Sequence, residues 1–445
     1  MPGRVNRPAK QGADIMTAEW ERATIRTVIW RLLPLLLLAY LAAYIDRINI
    51  GFAGVALRKE FGLSNTVFAT GAGLFFIGYF LFEVPSNMLL ARLGARRWIA
   101  RIMVSWGLLS AAMVFVHGTY SFYLLRFFLG FAEAGFFPGV IYYLMCWFPA
   151  EYRGRMMALF TAGIPLSTVI GSPISGQLLK MSGIGGLPGW QWMFLLEGLP
   201  AVAIGILVLF ALPDRPRDAK FLSPEQKQWL ETKLAAEPGH YVAPHLLSTL
   251  KSFCDPRVVV LCLVYFANIS ANLSLAFFLP QIIASTGASL TLTSWLNAIP
   301  SAVGVLGLIV IGWLSDRTSN HYVLLLVTLL ITACGFLAAA QFGAGGASAI
   351  GLAALAFASI GIHGLKAPFW PLTPMVLAGS AAAGGIAWIN SVGNLGGFVG
   401  PFILGWLTDT FKTYTAGMYA LAAIQVVVAL LAAWVLRPQV GKTRV

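Results

Sequence analysis

Charge is what this 445-residue chain has least of. Only 11% of its residues are Asp, Glu, Lys or Arg, against about 25% in soluble proteins. So few charges cannot cover a water-facing surface, and 58% of the chain is hydrophobic. The expectation is an integral membrane protein bounded by a lipid bilayer, with no soluble-domain count to be read from its length. Acid is scarcer than base: 17 Asp and Glu stand against 30 Lys and Arg, for a net charge of +13. Such an excess can signal nucleic acid. Here the bases fall in short loops between apolar runs, so membrane topology explains them and no nucleic-acid partner is expected. Cysteine and histidine are few, at 4 and 5. Cys146, Cys254, Cys262 and Cys334 form no C-x-x-C and have no histidine at ligand spacing. They read as packing residues, with no disulfide framework and no metal site. No nucleophile–base pair and no cofactor loop is present either, so neither an enzyme nor a cofactor is expected.

What is abundant is the long apolar run. A membrane-spanning helix needs about 20 such residues. Twelve runs qualify: 30–53, 67–90, 98–116, 121–146, 153–179, 190–211, 257–284, 293–315, 321–342, 348–377, 382–408 and 414–436. They divide the chain into a tail (1–29), a six-span half (30–212), a polar linker (213–256), a second six-span half (257–436) and a second tail (437–445). Ser223 can cap a helix and Pro224 suits its first position, so the linker is expected to carry a surface helix near 224–236. The N-terminal stretch lacks a small-residue cleavage site, so the first span is expected to be retained.

Twenty-three of the 30 Lys and Arg fall in segments that share one side, and four in segments on the other. The positive-inside rule then places both termini in the cytoplasm. The halves also echo each other. Ala91-Arg92-Leu93-Gly94-Ala95-Arg96 follows the second span, and Gly312-Trp313-Leu314-Ser315-Asp316-Arg317 follows the eighth. A Gly/Pro texture recurs in the fifth and eleventh spans. Two six-helix halves around a mid-membrane site is the layout of secondary transporters.

These motifs carry a resemblance. Gly312-x-x-x-Asp316-Arg317 is similar to the cytoplasmic loop signature of the major facilitator superfamily; Ala91 stands where the first copy would hold its acid. Within that superfamily the chain resembles the anion:cation symporter family, through Tyr44-Ile45-Asp46-Arg47-Ile48-Asn49, Gly78-Tyr79-Phe80-Leu81-Phe82-Glu83-Val84-Pro85 and Gly130-Phe131-Ala132-Glu133-Ala134-Gly135. The resemblance implies an all-α fold of twelve transmembrane helices in two pseudo-symmetric halves. It implies proton-coupled uptake of a small organic anion through a bacterial inner membrane: tartrate, a sugar acid or an aromatic carboxylate. Arg92, Arg96, Asp316 and Arg317 would belong to conformational gating loops. Ile164 replaces a polar residue that sugar-acid members carry.

The buried charges bear on the same point independently. A charge at mid-bilayer costs about 2.5–3.5 kcal/mol on insertion scales, so it is rare without a partner or a task. Tyr40, Tyr44 and Arg47 share one face of the first helix, and Arg126 and Glu133 share one face of the fourth. Seven residues put Arg126 and Glu133 about 10.5 Å apart along the axis. That is too far to pair, so the expected cross-pairs are Asp46 with Arg126 and Arg47 with Glu133. Arg47 beside tyrosine hydroxyls suits a carboxylate ligand. The resemblance assigns proton coupling to Asp46, Glu133 and Arg126. In the tenth span His363 and Lys366 precede Trp370 among prolines, and Lys366 lies too deep to snorkel easily. Lys366 is therefore a candidate second cation for a dicarboxylate. Tyr44, Tyr79, His363, Trp370 and Asn394 complete the candidate substrate set, Asn394 through the resemblance. Glu83 and Glu197 lie nearer span ends and read as structural. A monomer is expected. A uniporter and an exporter remain alternatives, opposed by the carboxylates and by the arginines respectively.

Overall fold

The computed structural model describes residues 7–236, 255–318, 320–343, 348–376 and 382–437. These residues are helical throughout, with short turns between. In the first half the helices are α1 (Arg7–Phe61), α2 (Asn65–Leu93), α3 (Ala95–Ala111), α4 (Thr119–Glu133), α5 (Phe136–Met145), α6 (Ala150–Thr161), α7 (Gly163–Leu178) and α8 (Gly189–Ala211). The linker carries α9 (Pro224–Ala235). The second half holds α10 (Pro256–Ala284), α11 (Leu290–Thr318), α12 (His321–Phe342), α13 (Ala349–Gly364), α14 (Lys366–Val376), α15 (Ala382–Asn394), α16 (Gly396–Phe411) and α17 (Thr415–Val435).

Eleven stretches among the described residues are long and apolar enough to cross a membrane. The twelfth is α15 with α16, interrupted at Leu395. The first span departs most from its expected bounds: α1 runs 55 residues, so most of the tail before residue 30 is helix too. The linker helix forms where its Ser-Pro start predicts. Ser223 accepts a hydrogen bond from the Gln226 backbone, and the Gln226 side chain returns one to the Ser223 backbone, closing a capping box. Cys262 is buried and Cys146 half-buried, but Cys334 is exposed on the bundle's flank. The packing role expected for Cys334 is therefore not what the fold gives it. Cys254 lies outside the described residues.

Four spans are each made of two helices: α4–α5, α6–α7, α13–α14 and α15–α16. Three have a single interrupting residue with near-helical dihedrals: Ala162, Leu365 and Leu395. The fourth break is wider. Ala134 turns to extended backbone, and Gly135 takes φ +89°, a left-handed conformation open to glycine without strain. The carbonyl freed there accepts a hydrogen bond from Ser86 Oγ at 2.6 Å, so no bare backbone oxygen faces the apolar interior. These breaks matter for position: Glu133 ends α4, Lys366 begins α14, and Asn394 ends α15.

Between the halves, α2 lies along α16, α7 along α11 and α1 along α10. The bundle end where α1 gives way to α2 is bound by several cross-half hydrogen bonds. Asp409 of α16 accepts from the Asn65 backbone at 3.0 Å, Asn65 Nδ2 at 2.7 Å, the Thr66 backbone at 2.7 Å and Thr66 Oγ1 at 2.6 Å. Arg58 donates to Gln281 at 2.9 Å, and Asn297 donates to Ser172 at 2.9 Å. Toward the other end, Glu83 of α2 receives Asn390 Nδ2 at 2.7 Å and Ser391 Oγ at 2.6 Å from α15. Cross-half bonds thus close the bundle on both sides of its middle.

Candidate functional site

Tyr40, Tyr44 and Arg47 follow each other along the inner face of α1, as their spacing predicts. The Arg47 guanidinium carbon lies 5.2 Å from the Phe75 ring centre, 5.5 Å from Tyr79, 5.8 Å from Tyr44 and 6.0 Å from Phe76. It sits in a box of π faces, the environment that best holds a cation away from water. Its ion-pair partner is Glu133, with Nη2 against Oε1. Glu133 is wholly buried, and its second oxygen has no protein partner. This is the expected cross-pair between the first and fourth spans.

The other expected cross-pair, Asp46 with Arg126, does not close. Asp46 accepts from Ser110 Oγ and from Asn49 Nδ2. Arg126 donates to the Ala72 carbonyl at 3.2 Å and stacks its guanidinium 5.2 Å over Phe75. Asp46 Oδ2 and Arg126 Nε and Nη1 are buried without a protein partner. The reason is that a serine and an asparagine reach the carboxylate first, while a backbone carbonyl of α2 takes the arginine. Phe75 carries both arginines on its ring, so Arg47 and Arg126 flank a single aromatic platform.

Across the midline, Asn272 of α10 donates to the Tyr44 hydroxyl at 2.9 Å. Tyr44 and Asn272 line a small cavity of about 20 Å³, room for a single water, together with Thr168, Asn297, Ser359 and His363. His363 is buried with Nδ1 unpartnered, and its ring fills the space where Gly304 has no side chain. Lys366 lies one turn further, half-buried, and forms no ion pair among the described residues. Trp370 does not line this cavity; it packs edge-on against Tyr265 at 5.4 Å and Phe369 at 5.1 Å. Asn394 is buried at the α15–α16 break beside Gly393, whose backbone rests on the Tyr265 ring.

The structure therefore brings together Arg47, Glu133, Tyr44, Tyr79 and, one layer away, Asp46 and Arg126. His363 shares the cavity wall with Tyr44, whereas Lys366, Trp370 and Asn394 do not line it. The gating-loop residues lie apart from this site. Arg92 is exposed, and Arg96 pairs with Asp214 of the linker at 3.5 Å. Asp214 also accepts from the Arg96 backbone at 2.9 Å, so a linker carboxylate caps α3 where the loop itself has Ala91. Asp316 is exposed, and Arg317 stacks on Trp313 at 5.1 Å without pairing to Asp316 among the described residues.

Two further titratable residues adjoin this group. Tyr265 faces the site from α10, a lone tyrosine in a hydrophobic run with nothing local to mark it. Glu83, read as structural from its place near a span end, is buried and bonded across the two halves. Its spacing of four from Tyr79 puts both on one face of α2, which is the signal that could have found it.

A family model described as Major Facilitator Superfamily matches residues 36–401 and 261–444. A candidate tartrate transporter of Agrobacterium vitis is 46% identical over 419 residues, covering 94% of this chain and 92% of that protein. A quinolone resistance transporter of Acinetobacter baumannii is 42% identical over 407 residues, covering 91% and 93%. The crystal structure of a bacterial homologue of the human lysosomal transporter Spinster, inward-facing and unoccupied, superposes with a TM-score of 0.73. It is 18% identical, over 91% of this chain and 96% of that one, a likeness of fold alone. With this helical architecture, and relatives that match along nearly its whole length, the chain belongs to the Major Facilitator Superfamily of multi-pass membrane transporters.

Proposed function

We propose that the protein imports a small organic anion together with protons, by alternating access, across a bacterial inner membrane with both termini in the cytoplasm. The observation that carries this reading is the Arg47–Glu133 pair inside its aromatic box. Arg47 is a permanent cation fixed on a central helix, and its one carboxylate partner can be replaced by a carboxylate ligand.

The coupling follows from that exchange. A substrate carboxylate that takes the guanidinium fork strands Glu133 in a dry site. An unpaired buried carboxylate is far more costly than a neutral acid, so Glu133 then takes up a proton. Anion and proton favour each other's binding, and the favour is reciprocal. The loaded site holds little uncompensated charge and can reorient. Asp46 and Arg126, each with an unpartnered buried atom, form a second titratable layer beside it. The name of the Agrobacterium vitis relative supports tartrate as the first substrate to try, with sugar acids and aromatic acids next.

Proteoliposomes test this directly. Purified protein is screened for thermal stabilisation by tartrate, galactonate, phthalate and hydroxyphenylacetate, and any ligand found is tested for uptake with and without an inward pH gradient. Glu133→Gln should abolish accumulation driven by the gradient and keep counterflow. Proton-driven accumulation that survives Glu133→Gln removes Glu133 from the coupling role. Arg47→Ala, if folded, should lose every ligand shift; unchanged affinity there overturns the anion site. Stabilisation by quinolones and by none of the acids would favour export.

A further inference from the structure

Glu83 is the buried carboxylate that this mechanism leaves unused. It lies in the last third of α2, 4% exposed, and both its oxygens are engaged by the other half of the molecule: Oε1 by Asn390 Nδ2 and Oε2 by Ser391 Oγ. No cation bonds it. On helices packed against α2, the charged side chains within the spans are Asp46 and Arg47 on α1 and Arg126 and Glu133 on α4; Arg58, Lys59, Glu60 and the remaining charges of α1, Asp409 on α16, and Arg96, Arg97 and Arg101 on α3 lie toward the helix ends. The Arg47 fork is already given to Glu133. Tyr79, one turn away on α2, and Tyr265 on α10 are the remaining titratable neighbours.

Two neutral partners suit a neutral acid. As a carboxylic acid, Glu83 accepts from the Asn390 amide with its carbonyl oxygen and donates its own hydrogen to Ser391 Oγ, because a serine hydroxyl can accept as well as donate. The observed separations of 2.7 and 2.6 Å fit that arrangement. As a carboxylate it would hold a full charge in the hydrocarbon layer with no counter-ion bonded, a state proteins avoid by neutralising the group. When α15 swings away from α2, the same side chain meets the water of an opened cavity and can ionise freely.

We infer that Glu83, Asn390 and Ser391 form a proton-loaded latch between the two halves: closing this end of the bundle binds a proton on Glu83, and opening it releases that proton to the same side. In the orientation proposed above, that side is the cytoplasm. The sign follows from linkage. Whichever state binds the proton more tightly is favoured as pH falls, so the inner gate closes in acid and opens as pH rises. The latch makes Glu83 a third proton site beside Asp46 and Glu133, one that reports on the gate and not on the substrate.

The test needs no substrate, so its failure is distinguishable from failure of the anion assignment. Spin labels are placed on Leu93→Cys and Thr318→Cys, exposed positions ending α2 and α11 at this end, after replacement of Cys146, Cys254, Cys262 and Cys334. Inter-label distances are measured by pulsed electron paramagnetic resonance in nanodiscs across a pH series. The open-to-closed ratio should rise with pH, by up to tenfold per unit for one linked proton. Glu83→Gln keeps a neutral amide in place; it should favour the closed distance and remove one proton's worth of that slope, leaving only what Asp46 and Glu133 contribute. Ser391→Ala, which leaves the carboxyl in place, should shift the population toward open at every pH. It also keeps the test valid if Glu83→Gln does not fold. A wild-type gate that opens as pH falls, a Glu83→Gln slope equal to wild type, or a closed fraction unmoved by Ser391→Ala would each overturn the latch.

Discussion

Asp409 offers the sharpest mechanical prediction. Its two oxygens accept four hydrogen bonds across the halves, between 2.6 and 3.0 Å, two of them from the free backbone N–H groups that open α2. The carboxylate also sits at the positive end of that helix, which adds about 0.3–1 kcal/mol. Asp409→Asn is nearly isosteric but places an amide NH2 against donors. With the amide NH2 turned toward Thr66, the Thr66 backbone bond must go, the Thr66 hydroxyl can reverse and accept, and the three bonds that remain change from charge-assisted to neutral, which roughly halves them. Bonds to charged groups contribute about 1.5–3 kcal/mol each and neutral ones about 0.5–1.5. Water reaches this site once the end opens and recovers much of that difference. We therefore expect closure of this end to weaken by about 2–3 kcal/mol, a shift of about 30- to 150-fold. The assay is the rate at which a membrane-impermeant maleimide, added from that side, labels Ser301→Cys. Ser301 lines the cavity, and its label is read in a background without the native cysteines. The rate should rise by that factor in Asp409→Asn and again in Asp409→Ala. Labelling within twofold of the parent protein would refute the argument, because Asp409 would then not be holding the halves together.

Other perturbations have defined outcomes. A methyl group at Gly130 would stand 1.8 Å from the Phe75 carbonyl oxygen, so Gly130→Ala must push α4 off α2. It should lower stability by about 1–3 kcal/mol, measured as thermal unfolding in detergent, and loosen Phe75 beneath both arginines. Asp214→Ala uncaps α3 and should cost about 0.5–2 kcal/mol in the same assay. Glu151 and then Glu21 hydrogen-bond Lys233 of α9 and hold its ammonium above the usual lysine range. A raised value means the contribution is complete below the ordinary lysine range and lost only as pH climbs through the raised one. Docking of α9, followed by Trp229 fluorescence, should therefore persist past pH ~10.5. Lys233→Ala should weaken docking by no more than about 1 kcal/mol, because the pair is partly exposed.

Hydropathy alone located the spans, since a bilayer imposes length and apolarity on each helix and leaves the register free. The Arg47–Glu133 pair was legible because both residues are costly in lipid and their helical spacing forbade pairing within one helix. The same reasoning failed for Asp46 and Arg126. Sequence spacing cannot see that Ser110 and the Ala72 carbonyl come closer than the opposite charge. The prolines after Lys366 pointed to a break in its span, whereas the break beside Asn394 has no such mark, a single interrupting residue with almost normal dihedrals. The bonding of Asp409 and Glu83 was hidden for another reason: their partners lie in the other half of the chain, where no local pattern points.

In the mechanism proposed above, where a substrate carboxylate replaces Glu133 on Arg47, the four aromatic rings around that arginine bear on how fast the two would change places. An arginine in plain hydrocarbon would have to hold one carboxylate until the next arrived, and every turnover would pass through a crowded three-body state. Ring faces that carry negative charge density accompany the guanidinium through the gap between one anion and the next. The departing and arriving carboxylates then need not meet, and repulsion between two anions drops out of the barrier. Stripping one ring, as in Tyr79→Leu, would slow that handover while leaving the resting ion pair in place.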